Sequence, residues 1–142
     1  PDGLADDRFG YGVAVDGSTI VVGAYFADDF GTNSGSAYVF DITGTLITKL
    51  LPDDGAAGDE FGASVAISGS TIVVGSYRDD DNGLNSGSAY IFDTTGQELR
   101  KVVADDGVTG AFFGYSVAAD GNQFVVGAYT DRDVGSAYIG VL

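Results

Sequence analysis

A segment that occurs twice, 52 residues apart, limits what this chain can fold into more than any other feature. Residues 26–38 read FADDFGTNSGSAY, and residues 78–90 read RDDDNGLNSGSAY. Setting Phe9, Phe61 and Phe113 in register extends the repeat along the whole sequence, with about 30 of 52 positions identical between the first two copies. A repeat of this length predicts a series of similar structural units that pack on their neighbours.

Each copy divides into four short strands separated by turn residues. In the first copy the predicted strands are residues 11–15, 19–25, 36–41 and 46–51, and the later copies contain equivalents. The first strand has small side chains, the second is almost continuously apolar, and the fourth carries positive charge. Small residues near an axis and charge at an outer edge indicate an all-β fold of four-stranded antiparallel β-propeller blades.

The repeat boundaries predict a single propeller segment of about three blades in an incomplete ring. The 142-residue chain divides into blades 9–60, 61–112 and 113–142, the last of them truncated. The chain begins at Pro1 and contains no Met, so we expect a processed product or a piece of a longer protein. Its partners are then further blades of a longer parent chain or other copies of itself.

Recurring aromatic and glycine residues are predicted to be structural. Phe9, Phe61 and Phe113 are each followed by glycine, which indicates an aromatic wedge between blades beside a closely approached backbone. Tyrosines flank the loop after each second strand and are expected to pack there with their hydroxyls satisfied. The glycines within the second strands are expected to mark bulges; these are Gly23, Gly75 and Gly127.

The runs Phe61–Ala66, Ile72–Tyr77 and Gly87–Tyr90 resemble the FG-GAP repeat of integrin α-subunit propellers and bacterial surface proteins. The resemblance covers nearly the whole chain. It implies an extracellular or cell-surface propeller, usually of seven blades, that binds ligands or proteins and often holds calcium. It specifies the fold better than the activity, because one fold hosts many functions.

The chain departs from that family in the loop between the first and second strands of each blade. Integrin-type repeats hold calcium there in a long Asp-rich loop, whereas this chain has only three short turns. These turns are Asp16-Gly17-Ser18, Ser68-Gly69-Ser70 and Asp120-Gly121-Asn122. Such tight hairpins offer too few oxygens for the six to eight ligands of calcium.

Most of the acid instead falls in loops that leave one face of the predicted blades, including Asp2, Asp59 and Glu60. The opposite face and the edges are assigned Lys49, Arg100 and Lys101. The net charge is −15, which disfavours binding to nucleic acid or to anionic membranes. The clustered carboxylates and amides after each second strand predict a calcium site, unless Asp, Asn and Gly serve only as turn residues on a solvated surface. The candidate ligands are Asp28, Asp29, Asn33, Asp79, Asp80, Asp81, Asn85, Asp131 and Asp133. The third copy is predicted to be the weakest site, because its loop is four residues shorter and contains Arg132.

The composition restricts catalysis severely. The sequence has neither His nor Cys, which excludes a Ser-His dyad, a thiol nucleophile and an ordinary zinc site. The acidic residues lie in polar, glycine-rich loops rather than in the apolar pocket that a catalytic carboxylate pair needs.

We therefore predict a non-catalytic extracellular module, structural or adhesive, that binds protein or glycan. The alternative is a carbohydrate-binding or glycan-hydrolysing propeller that uses loop Tyr and Asp residues. No apolar run approaches the ~20 residues of a membrane-spanning helix.

Overall fold

A computed structural model describes residues 5–142, so Asp2 of the predicted acidic face lies outside the described residues. These residues form eleven strands and one short 3-10 turn, Asp131–Asp133. The strands are β1 (Val13–Asp16), β2 (Thr19–Ala24), β3 (Ser36–Asp41), β4 (Leu46–Leu50), β5 (Ser64–Ser68), β6 (Thr71–Ser76), β7 (Ser88–Asp93), β8 (Glu98–Val102), β9 (Phe113–Asp120), β10 (Gln123–Ala128) and β11 (Ser136–Val141). No helix in residues 5–142 is long and apolar enough to cross a membrane.

The strands form three antiparallel sheets, and the all-β prediction is confirmed. Sheet 1 has the order β1-β2-β3-β4, sheet 2 the order β5-β6-β7-β8, and sheet 3 the order β9-β10-β11. None of the three sheets closes on itself, and the arrangement is that of propeller blades in an incomplete ring. Asp16 pairs with Thr19, so the first turn of sheet 1 contains only two residues, as the sequence predicted.

The second strand of each sheet is central because its β-branched residues suit burial on both faces. In β6, Ile72, Val73 and Val74 are all buried, and successive side chains point to opposite faces. Burial on both faces is possible only because sheets 1 and 3 lie on either side of sheet 2.

Neighbouring sheets pack face to face through two apolar cores. In the first, Val21, Val39 and Leu50 of sheet 1 pack with Val65 and Ile67 of sheet 2. The second core repeats this pattern between sheets 2 and 3. Each sheet therefore has a leading face, which contacts the preceding sheet, and a trailing face, which contacts the following one.

The predicted aromatic wedge is present, and it explains the glycines of the second strands. Phe61 is fully buried, with its ring centroid 5.5 Å from that of Tyr90 in its own sheet. Its backbone forms a bridge with Gly35 of the preceding sheet, and a Cβ on Gly23 would lie 1.9 Å from the Gly62 carbonyl oxygen. Gly23 therefore permits close approach of the next sheet.

The predicted bulge at the second-strand glycines is wrong for sheets 1 and 2. Gly23 and Gly75 pair without any shift in register. The shifts in these sheets lie instead in the third strands, next to Phe40 and Phe92. A register shift at this glycine occurs only in sheet 3, between Gly127 and Ala128.

Candidate functional site

The candidate site is the set of loops between the second and third strands, residues 25–35, 77–87 and 129–135, hereafter the acidic loops. A repeated serine fixes the first two. The Ser34 hydroxyl accepts a hydrogen bond from the Phe30 N–H at 3.0 Å and donates to the Ala27 carbonyl at 3.2 Å. Ser86 makes the equivalent contacts in the second loop. These internal bonds give the glycine-rich loops a defined conformation.

In each of these two loops, two of the predicted calcium ligands are hydrogen-bonded to each other: an aspartate carboxylate accepts a bond from the backbone N–H of an asparagine. The Asn33 N–H donates to Asp28 Oδ1 at 2.8 Å, and the Asn85 N–H donates to Asp80 Oδ1 at 2.7 Å. Both asparagines have positive φ, 56° and 53°, a conformation that Asn tolerates better than most residues. This backbone requirement accounts for asparagine at both positions.

A lysine lies at the centre of the acidic groups of sheet 2. Lys101 Nζ, on the fourth strand, is 2.6 Å from Asp54 Oδ2, 2.9 Å from Asp79 Oδ2 and 2.6 Å from Asp81 Oδ2. The Tyr90 hydroxyl lies 2.8 Å from both Asp54 Oδ1 and Asp79 Oδ2. This Lys101 cluster places an ammonium group where three carboxylates could otherwise have faced a cation.

Contacts within the Lys101 cluster favour the charged forms of Asp54 and Lys101. Burial opposes ionisation of Asp54, but hydrogen bonds from Lys101 and Tyr90 outweigh it and lower the pKa of this carboxyl. Burial likewise opposes the charged form of Lys101, yet its bonds to Asp54, Asp81 and Asp79 raise the pKa of the amine. Burial and the neighbouring Asp79 charge raise the pKa of Tyr90. The cluster is therefore a charged, hydrogen-bonded structural network at neutral pH.

The equivalent position in sheet 1 carries the same lysine–tyrosine pair. Lys49 Nζ is 2.6 Å from Asp29 Oδ1 and 5.1 Å from the ring centroid of Tyr38. Ala27 stands where sheet 2 has the buried Asp79. The lysine–tyrosine pair is thus repeated without a buried carboxylate beneath it.

Sheet 3 keeps the buried carboxylate but surrounds it differently. Asp131 is 1% exposed, and its Oδ2 accepts a hydrogen bond from Ser136 at 2.6 Å and lies 3.2 Å from the Tyr138 hydroxyl. Asp131 Oδ1 has no hydrogen-bond partner within the described chain. The nearby Asp106 instead pairs with Arg132 at 2.8 Å. Asp133 follows in the 3-10 turn and has a positive φ of 67°.

Two further acidic residues, Asp59 and Glu60, lie where sheet 2 meets the first acidic loop. Asp59 accepts a hydrogen bond from the Ala56 N–H at 2.7 Å, and burial raises the pKa of its carboxyl to about 6. Glu60 binds the Tyr77 hydroxyl and lies 3.2 Å from Arg78 Nε. The sequence interpretation placed both on the acidic face but gave neither a role, because nothing in the sequence indicates their burial.

The acidic face therefore does not gather all of the predicted metal ligands. Asp79 and Asp81 meet at Lys101, whereas Asp28 and Asp80 bind backbone N–H groups of their own loops. Within residues 5–142, no group of three or more acidic side chains has an arrangement that could hold a metal ion. The sequence interpretation assigned Lys49 and Lys101 to the opposite face and the edges; they do lie on the edge strands β4 and β8, but their ammonium groups contact carboxylates of the acidic loops. Their position near the end of the fourth strand, one residue before an inward apolar residue, was the available signal.

A comparison with protein-family models agrees with the repeated sheets, the Phe-Gly wedge and the tyrosine beneath each acidic loop. The model of the FG-GAP repeat matches three segments, residues 1–40, 45–92 and 97–140. The chain belongs to the FG-GAP repeat family. FG-GAP repeats are typically non-catalytic binding modules, and they often bind calcium. Comparison of this FG-GAP chain with curated proteins found no match.

Proposed function

We propose that this FG-GAP chain is a non-catalytic, extracellular structural or adhesive module that presents its acidic loops to a protein or glycan ligand. Its structural partners are further blades or other copies of the chain. The observation that supports this proposal best is the use of the buried carboxylates. Asp79 and Glu60 are each held by a basic side chain and a tyrosine hydroxyl, which stabilises the fold and opposes proton transfer.

The exposed carboxylates are the ones available to a ligand. Asp28, Asp80 and Asp133 are exposed on successive acidic loops, and the first two are fixed by bonds to backbone N–H groups. A row of oriented negative charges favours a partner with basic groups and accelerates its association. We expect a positively charged protein segment or an amino-containing glycan as ligand.

The calcium prediction now centres on sheet 3. In sheet 2 the Lys101 ammonium already pairs with three carboxylates, and a divalent ion would have to displace it. In sheet 3, Asp131 Oδ1 is buried without a hydrogen-bond partner among residues 5–142, and the Tyr138 hydroxyl links Asp131 to Asp106, which is itself paired with Arg132. A carboxylate oxygen without a donor is the kind of group that a hard cation satisfies.

The proposal is tested by removing charge from one face while keeping the loop geometry. In the Asp28→Asn, Asp80→Asn variant the amide oxygen can still accept the backbone hydrogen bonds. The matched control is Asp120→Asn, because Asp120 is exposed in a turn on the opposite face. Arrays of glycans and extracellular proteins, with and without calcium, should show ligands that weaken with the double variant and not with the control. Hydrolysis of any arrayed glycan, or equal binding by all three proteins, would contradict the proposal.

Glycan binding has support from a row of tyrosines beside the acidic loops. The ring centroids of Tyr77 and Tyr115 are 5.4 Å apart, and those of Tyr115 and Tyr129 are 4.9 Å apart with the rings stacked. Tyr115 and Tyr129 are about half and two-thirds exposed. Exposed aromatic faces next to carboxylates suit a sugar ring, which offers C–H groups to the aromatic face and hydroxyls to the acid. Loss of glycan binding in Tyr129→Ala would identify this row as the ligand site.

A further inference from the structure

The loop face above the second junction, between sheets 2 and 3, is more apolar than the same surface above the first junction, between sheets 1 and 2. Leu84 and Val108 are 63% and 40% exposed at the second junction. The equivalent residues at the first junction are Thr32 and Ala56. Single exposed apolar residues are common on protein surfaces, whereas neighbouring ones that form a patch indicate an interaction site.

Two aromatic residues extend this difference toward the first strand of sheet 3. Phe112 is partly exposed and Tyr115 is 48% exposed, and the equivalent residues at the first junction are Glu60 and Ala63. The ring of Tyr77 lies between them, 5.9 Å from Phe112 and 5.4 Å from Tyr115. The surface formed by Leu84, Val108, Phe112 and Tyr115 is called the apolar ledge below.

The backbone of the junction does not need leucine and valine at these positions. At the first junction the Gly58 N–H donates to the Thr32 carbonyl at 2.9 Å. At the second junction the Gly110 N–H donates to the Leu84 carbonyl at 2.8 Å. Since the same bond forms with Thr32 and Ala56 in place, the larger apolar side chains are not explained by the joining of the sheets.

An exposed aromatic residue at the first junction, Phe30, has an internal role instead. A Cβ on Gly55 would lie 2.7 Å from Phe30 Cδ2, so the ring lies against this glycine. At the second junction the equivalent glycine is Gly107, and a Cβ there would lie 3.8 Å from Asn82 Nδ2, the residue that replaces Phe30. Leu84 and Val108 are therefore not substitutes for the packing of Phe30.

The apolar ledge lies between two acidic loops. Gly110 links the two sides, because its N–H donates to Leu84 of the second acidic loop and its carbonyl accepts a bond from the Thr130 hydroxyl of the third. Asp80 and Asp105 are exposed beside the ledge. Both sheets that border the ledge are present, and sheets pack through their leading and trailing faces, so another sheet on either outer face would leave the ledge open.

We propose that the apolar ledge binds a basic protein segment in which an aliphatic side chain lies between lysines or arginines. The aliphatic side chain covers Leu84 and Val108, and the basic groups pair with the carboxylates around them, Asp80 and Asp105 among these. This binding rests on the proposed function and narrows its ligand from protein or glycan to protein. Leucine and valine offer no hydrogen bonds to sugar hydroxyls, which would lose water there without compensation.

The first experiment lets a peptide library report the preferred chemistry. Random peptides displayed on phage are selected on the 142-residue chain and counter-selected on the ledge variant, Leu84→Thr and Val108→Ala. These substitutions introduce the residues that the first junction already has, so the variant should fold. We expect enrichment of sequences in which Leu, Ile or Val lies between Lys or Arg.

The second experiment measures binding of an enriched peptide by fluorescence anisotropy. The control variant is Ile42→Thr with Leu99→Ala, which removes two apolar side chains of similar exposure, 61% and 54%, outside the loop face. We expect affinity to fall about tenfold in the ledge variant and to stay unchanged in the control. Added sodium chloride should weaken binding to the wild type. Amide NMR shifts of the wild type should change mainly in residues 83–85 and 108–112, a measurement that holds even if the ledge variant unfolds.

The outcomes separate this proposal from the proposed function. Enriched basic peptides without aliphatic residues, bound equally by the ledge variant, would overturn the proposal and keep the acidic loops as a site for basic ligands. NMR shifts confined to other loops would overturn it in the same way, as would a glycan ligand whose binding the ledge variant leaves unchanged. Failure to enrich any basic peptide, with no effect of Asp28→Asn, Asp80→Asn on any ligand, would overturn both.

Discussion

Replacing Lys101 with methionine should destabilise the chain far more than the same change at Lys49. The substitution keeps the length and apolar stem of the side chain and removes the ammonium group from three carboxylates. Asp79 is the costly one, because its side chain is 4% exposed and would keep a buried charge without a cation. Removing one partner of a buried ion pair costs about 3–5 kcal/mol.

The other two carboxylates add little to this loss. The side chains of Asp54 and Asp81 are 48% and 52% exposed, so solvent screens them and each contact contributes at most about 1 kcal/mol. We therefore expect the free energy of unfolding to fall by about 3–5 kcal/mol. For a domain of this size each kcal/mol lowers the unfolding temperature by about 3 °C, which gives a decrease of about 10–15 °C.

Lys49→Met is a matched control supplied by the repeat itself. Both lysines lie 5.1 Å from the ring of a tyrosine, so the loss of that cation–π contact is the same in the two variants. Sheet 1 has Ala27 in place of the buried carboxylate, and Lys49 bonds to Asp29. We expect this variant to lose less stability than Lys101→Met, because it leaves no carboxylate at the position of Asp79 without a cation.

The assay is urea unfolding followed by circular dichroism, because the chain has no Trp. If the slope of the unfolding free energy against urea concentration is the same in all variants, the surface exposed on unfolding is the same in all of them. Adding Asp79→Asn to Lys101→Met should restore most of the loss, since the amide removes the charge and can still bond to the Tyr90 hydroxyl. The reasoning is refuted if Lys101→Met costs no more than Lys49→Met, or if Asp79→Asn fails to restore stability.

Three further expectations concern single sites. Burial raises the pKa of Asp59 from 3.8 to about 6, so its ionised form destabilises the fold at neutral pH. Asp59→Asn should therefore be more stable than wild type by about 1–3 kcal/mol at pH 7.5, and this difference should vanish as pH falls to about 4. Millimolar calcium should raise the unfolding temperature of the wild type but not of Asp131→Asn, in thermal scans against chelator. Gly35→Ala should cost more than about 3 kcal/mol because its Cβ would lie 2.0 Å from the Phe61 carbonyl oxygen, whereas Gly44→Ala, with positive φ but open space, should cost about 1 kcal/mol.

Each of these expectations has an outcome that contradicts it. A stability difference between wild type and Asp59→Asn that stays constant from pH 4 to 7.5 would show that the Asp59 carboxyl is not shifted. Stabilisation by sodium chloride equal to that by calcium would assign the effect to screening of the crowded acid. Equal losses in the two glycine variants would mean that the close approach of neighbouring sheets does not restrict Gly35.

The strand positions could be predicted from the sequence because the repeat supplies each pattern more than once. Ser36–Asp41 and Ser88–Asp93 have the predicted bounds, and the other strands of sheet 1 differ by two residues at most. The ends shift where aromatic side chains leave the ladder: β1 begins at Val13 rather than Tyr11, and β2 ends at Ala24 rather than Tyr25. Apolar periodicity defines the centre of a strand well and its ends poorly.

The site was harder to predict because its contacts join segments that are far apart in sequence. Asp54 and Lys101 are 47 residues apart, and Asp79 and Lys101 are 22 apart. Sorting charges by loop identifies the acidic face, but it treats a lysine on a strand as an edge residue. A lysine side chain is long enough to reach from the end of a strand into the loops beside it. Because the lysine side chain is long, its ammonium group can form ion pairs with carboxylates from separate acidic turns and join them in one network.

The three sheets differ at one position of the repeat in whether a buried carboxylate is present and in which groups contact it. At that position sheet 1 has Ala27, sheet 2 has Asp79 with a lysine beside it, and sheet 3 has Asp131 with only hydroxyl donors. A buried carboxylate needs a charge partner or several hydrogen bonds, and Asp131 has the weaker of the two arrangements. The trailing face of the same sheet also leaves Ile139 uncovered. Sheet 3 is therefore the part of the fold with the most to gain from a bound cation and from a neighbouring sheet, and its amide protons should exchange fastest until both are supplied.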